Sequence, residues 1–234
     1  MIKFSPKPAD RAQRFETAEE YALAKLRDLI LSGELAGGTK LQQNELADRF
    51  GISRMPVRQA IVRLEYEGLV VQRPNRGAFV TLLGPNDILE LFEMRSVLEG
   101  LALRLATPQM GVEEQNNLLR LIKVMDEARG DVDVWIQRHD DLHEFLCNCA
   151  KRPTLAASAR QMRLTVTPYI RVYLSAYESA EMYGFEHHTL LRAVKTGDPT
   201  HCEEVMREHV LSAANGVVEF VKAREKKSIL GEVG

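Results

Sequence analysis

Cysteine is scarce in this sequence. The 234 residues contain three cysteines, an odd number, and none of them form a CxxC pair. This usage argues against a disulfide framework and favours reduced thiols. We therefore expect a cytoplasmic protein rather than a secreted one.

Long apolar runs are also missing. No stretch approaches the ~18 apolar residues that a membrane span needs, and residues 1–10 lack the apolar core of a signal peptide. The apolar fraction of 45% and the charged fraction of 27% are those of a soluble globular protein. We expect no membrane partner.

The sequence has no excess of positive charge, since its formal net charge is −2, which argues against indiscriminate binding to polyanions. The charge is unevenly distributed, however. Residues 1–82 contain 13 lysines and arginines against 10 acidic residues, whereas residues 83–234 contain 18 against 23. The length allows two domains, and this polarity is consistent with a DNA-binding front and a different function behind it.

Two short helical patterns separated by a tight turn occupy the centre of residues 41–80. Gly51 can end the first helix, and Ser53 can cap the second. Apolar residues recur at helical spacing on both sides of the turn: Leu46, Ala47 and Phe50 before it, and Val57, Ile61 and Leu64 after it. Such a helix-turn-helix places its second helix in the major groove of DNA.

Arginines lie where DNA contacts are expected. Arg54 and Arg58 are one helical turn apart, and their planar donor groups suit phosphate oxygens or guanine O6 and N7. Two β-branched runs, 69–72 and 78–82, then predict a two-stranded wing whose linker carries Arg73 and Arg76 near a backbone phosphate. Each arginine taken singly could equally be a solvated surface charge.

These residues resemble the winged helix-turn-helix of GntR-type transcriptional regulators. The matching segments are 31–35 (LSGEL), 44–47 (NELA), 53–58 (SRMPVR), 64–70 (LEYEGLV) and 76–80 (RGAFV). The resemblance implies DNA-facing roles for Asn44, Ser53, Arg54, Pro56 and Arg58, with Arg76 and Gly77 at the wing tip. Gln42 and Gln43 depart from the usual family pattern, which affects the contacts of the first helix.

The expected fold is mostly α, with an N-terminal winged helix-turn-helix followed by an all-α bundle. We divide the chain into a mobile arm (1–15), the DNA-binding domain (16–83), the helical domain (84–226) and a frayed tail (227–234). Asn86 is expected to cap the first helix of the bundle. Six helices are expected there, at 87–106, 113–128, 133–150, 154–175, 180–196 and 199–226.

The helical domain resembles the FCD effector domain of FadR-like GntR regulators. Segments 95–99, 143–155 and 187–209 carry the resemblance. Six helices rather than seven indicate the VanR-type subgroup.

All six histidines follow residue 138, in a domain with no other chemical signature. His139 and His143 are four residues apart and share a helix face, so both imidazoles could bind one metal ion. His187 and His209, on other helices, could complete the site. Alternatively, these are ordinary hydrogen-bonding histidines. His188 and His201 are expected at the surface or beside the ligands.

The resemblance implies a metal. FCD domains commonly bind a divalent ion through Asp-x-x-Phe-His and two later histidines, and the matching positions here are His139, His143, His187 and His209, with Leu142 in place of the phenylalanine. His139 stands where the family has aspartate. An all-nitrogen set favours a divalent transition metal, zinc or nickel, over manganese or magnesium. Asp140 is the alternative fourth ligand, although it faces about 100° away on an ideal helix.

The resemblance also implies a small carboxylate effector bound at the metal, with Arg95 as its second anchor. A bidentate pair between guanidinium and carboxylate would suit this role. The competing interpretation is an intrahelical ion pair between Arg95 and Glu99, which are four residues apart.

Together these observations predict a homodimeric, ligand-responsive regulator, with repression the favoured sign, that binds a palindromic operator in double-stranded DNA. One alternative is a DNA-binding protein whose second domain only dimerises. Another is a metal-dependent hydrolase, suggested by the dipeptide His139-Asp140. That class needs an earlier metal-binding histidine, and none precedes residue 139. We therefore expect no enzymatic activity.

Overall fold

The computed structural model describes residues 17–176 and 187–229, with the backbone alone for 225–229. Its N-terminal part consists of three helices and a hairpin: α1 (Ala18–Leu31), α2 (Gln43–Phe50), α3 (Arg54–Tyr66), β1 (Val70–Arg73) and β2 (Gly77–Val80). The predicted mobile arm, residues 1–15, lies outside the described residues. The mostly α fold with a two-stranded wing is confirmed.

Local sequence explains where these helices begin and end. Thr17 and Glu20 form a reciprocal capping box at the start of α1. Gly51 ends α2 with a φ of 67°, a left-handed conformation that costs glycine little. Ser53 occupies the N-cap position of α3 as expected, but its hydroxyl makes no capping hydrogen bond.

The wing is a hairpin whose strands differ slightly from the expected 69–72 and 78–82. Strand β1 runs one residue later, and β2 begins one residue earlier and ends two residues earlier. Val70 pairs with Val80, and Arg73 pairs with Gly77. The shift follows from the turn, where the Arg76 N–H donates to the Arg73 carbonyl and Asn75 adopts a φ of 59°. Arg73 therefore belongs to a strand, and Arg76 remains in the turn.

The remainder of the described chain is helical. Its helices are α4 (Pro85–Ala106), α5 (Val112–Asp126), α6 (Val132–Cys149), α7 (Pro153–Ala176), α8 (His187–Thr196) and α9 (Pro199–Ile229), with a short 3-10 turn at Thr107–Gln109. Asn86 was wrongly expected as the cap of α4. Gly84 holds that position, because Pro85 fits the first helical residue and the Asp87 carboxylate accepts the Gly84 N–H at 2.9 Å.

The last two helices meet as expected, since α8 ends at Thr196 and α9 begins at Pro199. The expected start of the fifth bundle helix at residue 180 lies outside the described residues. Helix α9 continues to Ile229, three residues past the expected end at 226, since the lysines and glutamate before them are good helix formers. The frayed tail stays a prediction. Residues 230–234 are not described. None of the described helices is long and apolar enough to cross a membrane.

Each part has its own hydrophobic core, and α7 packs against the N-terminal part as well as against α4, α6 and α9. Long helix α4 packs along α9 and also contacts α6 and α7. This arrangement gathers residues from α4, α6, α7 and α9 in the interior of the bundle.

Candidate DNA-binding face and metal centre

Helix α3 presents two of the predicted DNA-facing arginines to solvent. Arg54 and Arg58 are exposed, whereas Val57 between them is buried in the core. The Arg54 Nε donates to the Gln43 side chain of α2 at 3.0 Å. The departure from the family pattern at Gln43 therefore has a visible consequence, because this glutamine holds one edge of the Arg54 guanidinium.

The other predicted DNA-facing residues also lie at the surface. Asn44, Ser53, Arg76 and Gly77 are exposed, and Pro56 is half-buried. These positions belong to α2, to the start of α3 and to the tip of the wing.

Two basic residues in or beside the wing add detail that sequence reasoning did not supply. The Arg73 guanidinium lies 4.7 Å from the centre of the Phe79 ring, a cation–π distance that holds it against the hairpin. Lys40 pairs as an isolated bridge with Phe79, and its Cε lies 3.7 Å from an ideal Cβ at Gly77. Lys40 thus adds a positive charge near the wing tip, and its only sequence signal was a basic residue before α2.

Four predicted histidines meet inside the bundle. His139 and His143 come from α6, His187 is the first residue of α8, and His209 lies in α9. One ligand nitrogen from each lies within 4.8 Å of the other three. His143 is fully buried, His187 is 2% exposed and His139 is 9% exposed. The predicted set therefore converges from three helices.

Glu99 of α4 orients one of these imidazoles. Its Oε2 lies 2.5 Å from His143 Nδ1, and its Oε1 accepts from the Arg95 Nε at 2.9 Å. With Nδ1 held by a carboxylate, the lone pair of His143 is directed through Nε2. That atom is 3.4 Å from His209 Nε2, so the two nitrogens face each other.

Asp140 is turned away from this set. Its carboxylate accepts a short hydrogen bond from the Arg163 Nε of α7, while the ring of His139 stacks on Trp135 with 5.0 Å between centroids. The two candidates for the fourth ligand therefore separate, and His139 joins the cluster.

Burial controls the charge states. It lowers the pKa of His139 well below its ordinary value, lowers that of His143, and together with His143 lowers the pKa of His209 to about 3. Burial opposes ionisation of Glu99 as well, but Arg95, His143 and Arg163 hold the pKa of Glu99 well below its usual range. The site thus favours the neutral form of His139, His143 and His209 beside a charged Glu99.

The residues present fit a divalent transition metal. Nitrogens bound tetrahedrally to zinc at roughly 2.0–2.1 Å lie about 3.4 Å from one another. The Nε2 atoms of His143 and His209 are 3.4 Å apart. Neutral imidazoles, one of them with a carboxylate on its other nitrogen, are the ligands that zinc and nickel prefer.

Arg95, the predicted effector anchor, is 2% exposed and forms the intrahelical ion pair with Glu99. This bond uses Nε. The same guanidinium lies 5.0 Å from the Phe92 ring. The ion-pair interpretation is thus visible in the structure, and it leaves the Nη edge of Arg95 as a candidate donor for a ligand.

Sequence reasoning missed three contributors to this site. Trp135 precedes His139 by four residues, so the helical spacing could have identified it. Glu99 was considered only as a partner of Arg95. Arg163 had no local signal, because its place in the interior depends on how α7 packs on α6. His188 and His201 are exposed, and His188 lies 3.1 Å from Asp126, away from the cluster.

The fold and the two sites define a class: a winged helix-turn-helix protein with a helical bundle that carries a buried four-histidine centre. Comparison with known proteins identifies the family. Residues 19–80 match the gntR family of bacterial regulatory proteins, and residues 90–212, more than half of the chain, match the FCD domain. The chain belongs to the FCD-domain branch of the GntR family.

Similar proteins carry the names of transcriptional regulators. An uncharacterized HTH-type transcriptional regulator of Mycobacterium tuberculosis is 29% identical over 167 residues, which is 69% of this chain and 65% of that protein. The chain thus spans less than two thirds of that relative. The transcriptional repressor GlaR of Escherichia coli is 25% identical over 197 residues, covering 80% of this chain and 90% of the repressor.

Solved structures agree on the fold. The E. coli protein McbR/YncC superposes with a TM-score of 0.76 at 21% identity, covering 90% of this chain and all of that one. A GntR-family transcriptional regulator from Pseudomonas syringae is 27% identical, with a TM-score of 0.53 and 88% coverage of both chains. Neither comparison tests the VanR-type subgroup, which stays a prediction.

Proposed function

We propose that this protein is a cytoplasmic, homodimeric transcription regulator that binds a palindromic operator and is controlled by a small carboxylate at a metal centre. The single observation that carries the sensing part is the convergence of His139, His143, His187 and His209 within 4.8 Å. Repression is the proposed sign, in line with relatives named as repressors in E. coli and Paenarthrobacter nicotinovorans.

The DNA-binding part is supported by the exposed α3 arginines and the wing. Arg54 and Arg58 project from the N-terminal half of α3, the portion of a recognition helix that reaches base edges. Asn44, Ser53 and Pro56 flank them, and Arg76 and Gly77 form the wing tip. A homodimer would place two such surfaces on the two halves of a palindrome.

The metal part is supported by the donor set. His139, His143, His187 and His209 would hold a zinc or nickel ion, with Glu99 orienting His143. When bound, the ion would supply a positive Lewis-acidic anchor for a carboxylate, which would occupy a coordination position beyond the four histidines. Arg95, on α4 beside Glu99, would offer its Nη edge to the same effector.

Helix α7 supplies a physical connection between the two parts. Gln161 donates to the Tyr66 carbonyl at 2.7 Å, and Arg171 donates to the Leu31 carbonyl at 2.5 Å. Tyr66 and Leu31 are the last residues of α3 and α1, whose final carbonyls lack partners within their own helices. Arg163 is two residues from Gln161, about 200° around the helix, so it lies on nearly the opposite face of α7. There it pairs with Asp140 of α6. A shift of α7 at the histidine centre would therefore move α3.

A second candidate is a regulator whose helical domain only dimerises. The buried ion pair between Arg95 and Glu99 favours it, since it gives both residues a structural role. Metal analysis separates the two candidates, because a purely dimerising domain has no need of a metal.

The test combines metal content with effector screening. Purified protein is expected to bind one zinc ion per chain, to gain thermal stability from a small carboxylate only when metal is present, and to release an operator recovered by selection from random DNA. Absence of zinc binding would remove the centre. Zinc binding without any carboxylate-dependent release would leave only the DNA-binding part of the proposal.

A further inference from the structure

Arg163 keeps two buried donors without an acceptor. It is 1% exposed, and its Nε is committed to Asp140. Its Nη1 lies 4.0 Å from Glu99 Oε1, an ion-pair distance beyond hydrogen-bonding range. Both Nη atoms are buried, and neither reaches an oxygen or nitrogen acceptor among the described residues. The buried Cys147 thiol interacts with the same guanidinium, but sulfur is only a weak acceptor. Buried charged donors of this kind are costly unless an acceptor completes them.

The same guanidinium is adjacent to the histidine centre. Glu99 connects the two, because its Oε2 contacts His143 Nδ1 and its Oε1 lies 4.0 Å from Arg163 Nη1. The carboxylate of Glu99 therefore lies between Arg163 and the candidate metal ligand His143. The Nη atoms of Arg163 are buried inside the bundle.

The net formal charge of the groups around the centre constrains the charge of the effector independently. The ionic groups there are two cations and two anions, so their formal charges cancel: Arg95, Arg163, Glu99 and Asp140. The four imidazoles are neutral when they act as ligands. A divalent ion therefore leaves two uncompensated positive charges in a largely buried site. Uncompensated buried charge is strongly unfavourable.

These two positive charges set the charge that an effector needs to neutralise the site. A monocarboxylate would cancel one of the two charges, whereas a dianion would cancel both. An aspartate at position 139 would have contributed one negative charge from the protein itself. Because His139 is neutral as a ligand, the effector must supply that negative charge instead.

We propose that the centre selects a small dianion, such as a short dicarboxylate, whose second anionic group is held by Nη1 and Nη2 of Arg163. The inference rests on the proposed function and specifies the effector class of that same site. A bidentate pair with the Nη edge would satisfy the two orphaned donors, and it would place the effector against α7, the helix that contacts α3.

The experiment uses the full-length, zinc-loaded protein and calorimetric titration with matched acid pairs. Malonate, succinate and glutarate are each compared with the monoacid of equal chain length: propionate, butyrate and pentanoate. The best dicarboxylate is expected to bind at least tenfold more tightly than its monoacid. Equal affinities would overturn the dianion inference while leaving carboxylate sensing in place.

Two variants test the two supports separately. His139→Asp adds the missing negative charge, so it is expected to reduce the dicarboxylate preference at least threefold. Its zinc affinity without any acid is measured in parallel, and retained zinc binding shows that the centre is still assembled. A preference unchanged in zinc-binding His139→Asp would contradict the charge argument.

Arg163→Lys keeps the positive charge but loses the paired Nη donors. It is expected to reduce the dicarboxylate preference at least tenfold, and circular dichroism checks that the bundle is folded. If Arg163→Lys does not fold, the His139→Asp comparison still decides the dianion claim. If zinc binds and no acid binds at all, carboxylate sensing and this inference fall together, and if zinc does not bind, the centre itself is wrong.

Discussion

The two functional regions of this protein treat charge in opposite ways. On α3 and the wing, the arginines are exposed. Arg58 follows the buried Val57 directly, but its position on the helix directs it to solvent. In the bundle, Arg95, Glu99 and Arg163 are at most 2% exposed and are held by one another. An exposed cation is ready for a large polyanion, whereas a buried ionic network is a preorganised environment for a small ligand. The difference shows that burial separates arginines that a polyanion can reach from arginines that are enclosed in the bundle.

The largest effect should come from removing two candidate ligands. His143→Ala combined with His187→Ala leaves half of the set, so zinc affinity is expected to fall by more than about 100-fold. The matched control is His188→Ala with His201→Ala, which removes two exposed histidines outside the cluster. Calorimetric zinc titration of both double variants makes the comparison, and equal zinc binding would break the distinction between buried and exposed histidines.

The next effect concerns the exposed region. Arg58→Ala is expected to weaken operator binding by about 1–3 kcal/mol, roughly 5- to 150-fold, with an unchanged bundle. Arg120→Ala in α5 serves as control, because that arginine is also exposed but lies in the helical domain. Fluorescence anisotropy at several salt concentrations measures both, since phosphate contacts weaken as salt rises. Wild-type affinity in Arg58→Ala would remove it from the interface.

The third prediction concerns Glu99, the buried carboxylate that orients His143. Glu99→Gln replaces the acceptor that orients His143, so zinc affinity is expected to fall about 10- to 100-fold with all four histidines in place. Glu203→Gln is the control, because Glu203 also pairs with an arginine, Arg104, but near the surface. Competition against a zinc chelator provides the measurement. If the two variants match, Glu99 has only a structural role.

The smallest effect tests the connection between the regions. Gln161→Ala removes the hydrogen bond from α7 to the end of α3, worth about 1 kcal/mol. We expect zinc affinity to be unchanged and the effector to shift operator affinity several-fold less. Gln109→Ala, which removes a similar bond to a carbonyl within its own domain, should leave the response intact. A full response in Gln161→Ala would mean that the signal does not use this contact.

The N-terminal part could be predicted almost completely from sequence, because its signals are local. Gly51 ends α2 with a positive φ, and the spacing of Val57, Ile61 and Leu64 fixes the buried face of α3. The exact wing strands were missed, and so was the cap at Gly84 where the helical domain begins, since each depends on which of several neighbouring residues closes a turn.

The centre could be predicted only in part. The pair His139 and His143 is a local pattern on one helix, and the other two histidines required the family resemblance. Arg163 could not be found, because nothing in its neighbourhood of α7 encodes the packing that brings it to Asp140 and Glu99. Long-range convergence of buried charges is decided by tertiary packing rather than by periodicity.

The central claim is that occupancy of the histidine centre controls the DNA-binding face. Its most direct test is operator affinity of the zinc-loaded wild type and of His143→Ala/His187→Ala, each with and without the tightest-binding dicarboxylate. The account predicts that the acid weakens operator binding at least tenfold in the wild type and has no effect in the variant. An equal response in both proteins, or none in a wild type that binds zinc and acid, would contradict it.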